Sequence, residues 1–261
     1  MFRDYAAKEF AMDCTRRGFA SRLGLILAGA SGAGAWAGAP SPVAAQHADH
    51  SKLPMTTHAS GNAENKLTPA EEVWANLMAG NQRFVAGKPL ARDVVARREA
   101  VLAAQQPRVV VLGCSDSRVS PSLIFDQGLG DLFEVRVAGN VADALAMGSI
   151  EFAVEHLPIR IVVILGHEKC GAVAAAASHE KMPTANLQAV VDKIAPAVAR
   201  VKGDPKSEAF LRKAEEANVL QAAVDLLANS PIVLRESAAN NIEIIKAVYS
   251  LTTGQVRRLV G

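Results

Sequence analysis

The order of apolar and polar positions along residues 67–261 predicts strands that alternate with helices. Val109-Val110-Val111-Leu112-Gly113 is a continuous apolar run of strand length, and residues 159–165 form a second run that is more apolar still. Runs that are apolar on both faces are typical of the inner strands of a parallel sheet. A shorter strand is predicted at residues 132–137, after a glycine-rich turn.

Helical spacing of apolar residues fills the segments between these strands. Thr68-Pro69-Ala70-Glu71 has the composition of a helix start, with a Thr N-cap, Pro at the first helical position and a carboxylate three residues after the Thr. Further helices are predicted at residues 91–104, 142–156, 172–177, 187–201 and 214–227. Strands at 242–249 and 255–259 flank Thr252-Thr253-Gly254, which indicates a hairpin. The pattern predicts an α/β fold with a mainly parallel central β-sheet flanked by helices, an N-terminal helical arm and a C-terminal β-hairpin.

The first 45 residues have the pattern of an export signal. Arg16-Arg17 precede an uncharged apolar stretch at residues 23–39, and Val43-Ala44-Ala45 offers small residues to a signal peptidase. Paired arginines mark the route that exports folded proteins. A membrane anchor is the alternative, but a glycine-diluted run of 17 residues is short for a span.

These features divide the chain into three parts. We predict a twin-arginine signal peptide at residues 1–45, a flexible linker at 46–66 and one folded domain at 67–261. The signal predicts a periplasmic protein that is exported folded, with no stable membrane insertion after cleavage.

The charge balance argues against a dedicated nucleic-acid binder. The 261 residues include 28 Lys and Arg against 26 Asp and Glu, and half of the chain is hydrophobic, which also argues against disorder. The predicted signal holds five of the basic and three of the acidic residues, so 23 of each remain after cleavage. The slight basicity of the whole chain therefore belongs to the signal, and no nucleic-acid partner is expected.

Two polar clusters directly follow the two most apolar strands. Cys114-Ser115-Asp116-Ser117-Arg118 comes after the first, and Gly166-His167-Glu168-Lys169-Cys170 comes after the second. Open α/β sheets build their sites at the carboxyl ends of the strands. If the two strands are neighbours, Cys114, His167 and Cys170 converge. Two thiolates and one imidazole form a tetrahedral zinc site with one position left open.

A disulfide is the alternative for the two cysteines. Cys14 falls within the predicted signal, which leaves Cys114 and Cys170 as the cysteines of an exported protein, where disulfides are common. A disulfide would not need the neighbouring His167 or the Asp116/Arg118 pair, so the surrounding residues favour zinc.

The two clusters resemble the hallmarks of the β-class carbonic anhydrases, Cys-Ser-Asp-Ser-Arg followed about fifty residues later by His-x-x-Cys. The likeness continues through residues 124–133, 136–140 and 249–254, and covers approximately 67–259. It implies one Zn²⁺ per subunit, held by Cys114, His167 and Cys170. It also implies reversible hydration of carbon dioxide to bicarbonate and a proton, by attack of zinc-bound hydroxide.

The resemblance further implies roles for residues around the zinc. Arg118 would hold Asp116 ionised, and the carboxylate would orient the zinc-bound water. In a second, closed state Asp116 would itself bind the zinc. Gln105, Phe133 and Phe152 would line the carbon dioxide pocket, with aromatic residues supplied by the neighbouring subunit. Phe152 stands where the plant-like branch often has Tyr, and core packing is an alternative for both phenylalanines.

The resemblance implies a homodimer or homotetramer in which the helical arm, residues 69–105, embraces a second subunit. The Trp, Arg and Tyr of a bicarbonate-sensing site cannot be matched convincingly, which argues against that form of regulation.

A hydrolase of carbon disulfide or carbonyl sulfide would share every zinc ligand. A non-catalytic zinc or redox protein is the alternative from another class.

Overall fold

The computed structural model describes residues 68–260, and the fold in that range is built around one five-stranded sheet. The strands are β1 (Val109–Cys114), β2 (Leu132–Val137), β3 (Ile161–His167), β4 (Glu243–Tyr249) and β5 (Val256–Arg258). They lie in the order β2-β1-β3-β4-β5, and every pair is parallel except the antiparallel β4 and β5. The predicted α/β class, mainly parallel sheet and C-terminal hairpin are confirmed. The predicted signal peptide and linker, residues 1–66, lie outside the described residues.

Two helices precede β1, and the other helices lie between the parallel strands. They are α1 (Pro69–Val85), α2 (Val94–Ala100), α3 (Pro121–Ile124), α4 (Ala144–His156), α5 (Gly171–Ser178), α6 (Ala185–Val198), α7 (Glu208–Asn229) and α8 (Pro231–Ala238), with a 3-10 turn at Ala138–Asn140. Within residues 68–260, no single helix is long and apolar enough to cross a membrane. The pair α7 and α8, bent by 98° at its junction, meets the length and composition criteria only when taken together.

Several helices differ from the sequence prediction: α3 is not predicted, and α7 begins at Glu208 rather than at residue 214. The helix predicted at residues 91–104 is shorter, because the Asp93 carboxylate caps α2 by accepting hydrogen bonds from the amides of Val95 and Ala96. Helix α8 was not predicted, although Ser230-Pro231 has the composition of a helix start. The Ser230 hydroxyl caps it by accepting from Val233 N at 3.2 Å.

Two hydrogen bonds at Thr68 confirm the predicted start of α1. The Thr68 hydroxyl accepts from Glu71 N at 3.2 Å, and the Glu71 carboxylate accepts from Thr68 N at 2.6 Å, which completes a capping box. The cap satisfies amides that the first turn of a helix otherwise leaves unpaired. It fixes where α1 begins, and the helix then buries Val73 and Leu77 against the sheet.

The sheet separates two apolar layers, because successive residues of a strand point to opposite faces. Val110 and Leu112 of β1 join the cluster that includes residues of α4, α7 and α8, while Val109 and Val111 join the cluster beneath α1 and α3. Every residue of β1 and β3 is buried. The prediction that these two strands are inner strands covered on both faces is confirmed.

Candidate metal centre

Adjacent strands bring the two polar clusters to one edge of the sheet. β1 ends at Cys114 and β3 ends at His167, and the two strands pair in parallel, with Gly113 opposite Leu165. Cys170 follows three residues later at the start of α5, after a turn in which Lys169 has a φ of 54°. The Cys114, Cys170 and His167 ligand atoms all lie within 4.8 Å of one another, and all three residues are buried. The predicted convergence is confirmed.

The donor set fits a zinc ion. Bond lengths of about 2.3 Å to sulfur and 2.0–2.1 Å to nitrogen place the ligand atoms of a tetrahedral site about 3.5–3.8 Å apart, so small movements complete the site. His167 Nδ1 lies 2.8 Å from the carbonyl oxygen of Glu168, to which a protonated Nδ1 donates. His167 Nε2 is buried without a hydrogen-bond partner, and Cys114 and Cys170 are free thiols rather than a disulfide.

The pKa values of the two thiols are shifted in opposite directions. A hydrogen bond from Cys170, aided by one from the Gly139 amide, lowers the pKa of Cys114 to about 4 despite burial. The same hydrogen bond, burial and the charge of the Cys114 thiolate raise the pKa of Cys170. The pair therefore holds one proton between two sulfurs, and a bound cation would take the place of that proton.

The predicted pair of Asp116 and Arg118 lies in the loop after β1. Arg118 donates from Nε to Asp116 Oδ1 at 2.9 Å and from Nη2 to Oδ2 at 2.7 Å, and its backbone amide donates to Oδ1 at 2.9 Å. Hydrogen bonding by Arg118 lowers the pKa of Asp116 to about 2, with a smaller contribution from the nearby His167. The carboxylate is therefore ionised throughout the neutral range.

Arg136, near the end of β2, holds the backbone of this loop by hydrogen bonds. Its guanidinium donates from Nε to Cys114 O at 3.1 Å and from Nη2 to Asp116 O at 2.8 Å. The sequence pattern predicts no role for Arg136. A single positively charged side chain between Val135 and Val137, at the carboxyl end of a strand, is the signal that could have identified it.

Gln105, Phe133 and Phe152, the predicted pocket residues, lie apart from the three metal ligands within one chain. Gln105 is exposed and precedes β1, so the length of the strand separates it from Cys114. Phe133 is half-buried and pairs with Val110, towards the amino end of β2. Phe152 is exposed on α4, with its ring 5.0 Å from the ring of His156. Their assignment to a pocket completed by a second subunit stays a prediction.

The chain is similar in sequence to known carbonic anhydrases. The family model described as carbonic anhydrase matches residues 109–256. Carbonic anhydrase 2 of Mycobacterium tuberculosis is 39% identical over 186 residues, which cover 70% of this chain and 89% of that protein. A carbonic anhydrase of Mycolicibacterium smegmatis is 38% identical over 189 residues, which cover 70% and 90%.

Solved structures share the fold. A Coccomyxa β-carbonic anhydrase in complex with acetazolamide superposes with a TM-score of 0.58 at 26% identity, over 74% of this chain and 84% of that one. One of two tetrameric β-carbonic anhydrases from Sordaria macrospora superposes with a TM-score of 0.55 at 20% identity, over 73% and 98%.

The parallel sheet and the cluster of two cysteines and one histidine at its edge define a class of α/β enzymes with a candidate metal site. Within that class, the chain belongs to the β-class carbonic anhydrase family. The general reaction of the family is the hydration of carbon dioxide.

Proposed function

We propose that this protein catalyses the zinc-dependent, reversible hydration of carbon dioxide to bicarbonate and a proton. The observation that carries the proposal is the convergence of three ligand atoms within 4.8 Å, one of them the unpaired and buried His167 Nε2. Cys114, His167 and Cys170 would hold one Zn²⁺ per subunit. When bound, zinc supplies a Lewis acid that lowers the pKa of water to about 7 and so makes a nucleophile available at neutral pH.

Asp116 and Arg118 would orient the reacting water. Arg118 engages both oxygens of the Asp116 carboxylate and keeps it ionised, and an ionised carboxylate only accepts hydrogen bonds. A water beside Asp116 must therefore donate a hydrogen to it and turn a lone pair towards carbon dioxide. The side chain of Asp116 is 17% exposed, which leaves room for such a water. We also propose the closed state in which Asp116 itself binds the zinc.

Metal analysis and stopped-flow hydration test the proposal. The protein should hold one zinc per subunit and hydrate carbon dioxide, and Cys170→Ser should lose both properties. Asn229→Ala is the matched control, because Asn229 is exposed at the end of α7 and bonds Asp225 O, and it should change neither. Full hydration activity in a zinc-free Cys170→Ser protein would overturn the proposal. Carbon disulfide and carbonyl sulfide, assayed beside carbon dioxide, distinguish the related hydrolases that would use the same ligands.

We propose a homodimer or homotetramer as the working assembly. Helix α2 buries none of its residues in one chain, and its Val94 and Val95 are each more than half exposed, as is Leu123 of α3. β2 is an edge strand of the sheet, so its outer backbone groups face away from β1. These apolar side chains and this edge support association at the α2 and β2 side. Light scattering should give a mass of two or four chains, and Val94→Asp should lower it.

We propose export to the periplasm by the twin-arginine route, on the pattern of residues 1–45 alone. Fractionation of cells that produce the full chain should place the protein in the periplasm without the signal. Replacing Arg16 and Arg17 by lysines should retain it in the cytoplasm. An unprocessed protein in the membrane fraction would instead support the alternative of an N-terminal anchor.

A further inference from the structure

Helix α7 carries two polar side chains that are buried beneath the metal centre. Glu215 is 5% exposed and Asn218 is 2% exposed, and they lie three residues apart on a face that is otherwise lined by apolar residues such as Val219 and Ala222. Buried polar groups need hydrogen-bond partners. Both of these side chains find theirs on backbone groups next to the cysteines.

Glu215 supports the turn that carries Cys170. Its Oε1 accepts a hydrogen bond from Cys170 N at 3.1 Å. Cys170 is the N-cap residue of α5 and its own side chain makes no capping hydrogen bond, and the preceding Lys169 has a left-handed φ of 54°. The carboxylate of Glu215 therefore holds this turn in the conformation that presents the Cys170 sulfur.

Asn218 supports Cys114 through Gly139. Asn218 Nδ2 donates to Gly139 O at 2.8 Å, and Gly139 N donates to Cys114 Sγ at 3.3 Å. Gly139 is confined on its other side, because a Cβ there would lie 2.6 Å from Ile194 Cδ1. The amide of Asn218 therefore fixes the backbone group that touches the first sulfur.

We propose that Glu215 and Asn218 are positioning residues that set the separation of the two cysteine sulfurs. One turn of a rigid helix links them, so the spacing of two side chains on α7 becomes the spacing of Cys114 and Cys170. Groups of this kind hold metal ligands in place before the ion arrives, and their loss typically costs 10–100-fold in metal affinity. The proposal rests on the proposed function only in naming zinc as the ion.

The test is the zinc dissociation constant, measured by competition with a chromophoric chelator. Glu215→Leu removes the acceptor and Asn218→Ala removes the donor, and each should weaken zinc binding by about 10–100-fold. Glu215→Gln keeps an oxygen that can accept from Cys170 N, so it should recover most of the affinity. The thiolate-to-metal absorption of the Co²⁺-substituted protein should shift in Glu215→Leu and return in Glu215→Gln.

Leu226→Ala is the matched control for a purely structural role. Leu226 is fully buried on the same helix but makes no hydrogen bond to the site, so its loss should lower the melting temperature and leave zinc affinity unchanged. If Glu215→Leu fails to fold, Asn218→Ala still decides the question through zinc affinity. Zinc binding equal to the wild type in Glu215→Leu or Asn218→Ala, or weakened as much in Leu226→Ala, would overturn the proposal.

Carbon dioxide hydration by the wild type separates this inference from the proposed function. A wild-type protein that binds zinc but hydrates no carbon dioxide would overturn the proposed function, while the affinities of the variants would still measure the positioning roles. A wild type that is active, with variants that bind zinc normally, would overturn the positioning roles alone.

Discussion

The guanidinium of Arg118 and the carboxylate of Asp116 are joined by two parallel hydrogen bonds, Nε to Oδ1 at 2.9 Å and Nη2 to Oδ2 at 2.7 Å. Two bonds of this kind fix both the position and the plane of the carboxylate, which a single ammonium group cannot do. The carbonyl oxygen of Asp116 is held separately by Arg136. Asp116 is therefore fixed at both its side chain and its backbone, two residues after Cys114 of the candidate metal site.

Replacing Arg118 should change how stability depends on pH near the pKa of Asp116. In Arg118→Gln this pKa should rise from about 2 towards its ordinary value of about 3.9. A carboxyl whose pKa is lowered in the folded state contributes stability above its unfolded pKa, and loses it as pH falls through the folded pKa. The difference in the free energy of unfolding between wild type and variant should therefore be constant above about pH 5, fall as the pH falls towards 2, and vanish near about pH 1.

Urea unfolding at a series of pH values measures this difference. Arg98→Gln is the control, because the guanidinium of Arg98 lies 3.8 Å from Glu99 with both side chains more than 60% exposed. It should produce no such pH-dependent difference. A wild-type to Arg118→Gln difference that stays unchanged down to about pH 2 would contradict the assignment.

Gly80 should tolerate no side chain. A Cβ at this position of α1 would lie 1.8 Å from the carbonyl oxygen of Phe125, a backbone atom that cannot give way. Gly80→Ala should therefore destabilise the fold by about 3 kcal/mol, at the upper end of the cost of overpacking. Gly148→Ala in α4 is the control, because nothing lies within 4 Å of its added Cβ, and it should stabilise by up to about 1 kcal/mol. Denaturant unfolding of both variants checks this, and equal effects would refute the proposed close contact.

Asn81 should anchor the C-terminal hairpin to α1. Its Nδ2 donates to Ile124 O at 3.1 Å and to Gly254 O at 2.9 Å, and its Oδ1 accepts from Val256 N at 2.9 Å. Asn81→Ala should cost on the order of 3 kcal/mol, because each buried group left unpaired costs about 1–3 kcal/mol. Hydrogen exchange at Val256 should accelerate with it.

Asn229→Ala provides the comparison for Asn81. Asn229 is exposed, and its single bond to Asp225 O lies at the end of α7. Its replacement should change the free energy of unfolding by less than about 0.5 kcal/mol. Slow exchange at Val256 in Asn81→Ala would show that other contacts hold the hairpin.

The apolar runs were sufficient to predict the sheet, but they did not set the ends of its strands. β2 has the predicted bounds, whereas β3 begins at Ile161 instead of 159 and continues to His167. The polar His167 is the last strand residue because the backbone ladder to β4 persists, with His167 opposite Tyr249. Hydrogen bonding of the backbone, which a hydrophobic pattern does not record, decides such boundaries.

The three residues of the candidate metal site could be predicted because their types and spacing suit zinc, but the residues that support them could not. Glu215 and Asn218 have the residue types of a solvated helix face, and α7 was predicted only as a helix from residue 214 onwards. Their burial depends on how α7 packs against β3, where Val219 fills the space beside Gly166. Contacts between residues that are 45 or 79 positions apart, such as Cys170 with Glu215 and Gly139 with Asn218, appear only in the folded chain.

Removal of zinc should make the two cysteines oxidisable. The Cys114 and Cys170 sulfurs lie within 4.8 Å, and the pKa of about 4 keeps Cys114 as a thiolate, the form that attacks disulfides. In chelator-treated protein, Cys114 should attack oxidised glutathione and release one glutathione thiolate. Cys170 should then attack the mixed disulfide, release the second glutathione and close a Cys114–Cys170 disulfide in a two-electron oxidation.

Bound zinc should block this reaction, because it engages both sulfurs. Titration of free thiols and mass spectrometry on the Cys14→Ser chain should therefore show two thiols lost without zinc and none lost with it. Cys170→Ser should stop at the mixed disulfide, which separates the two steps. Equal oxidation of the zinc-loaded and zinc-free proteins would contradict the assignment of both sulfurs to the metal. Protection by zinc would give the proposed export of a folded protein a chemical reason, since metal bound in the reducing cytoplasm would keep both thiols available in the periplasm.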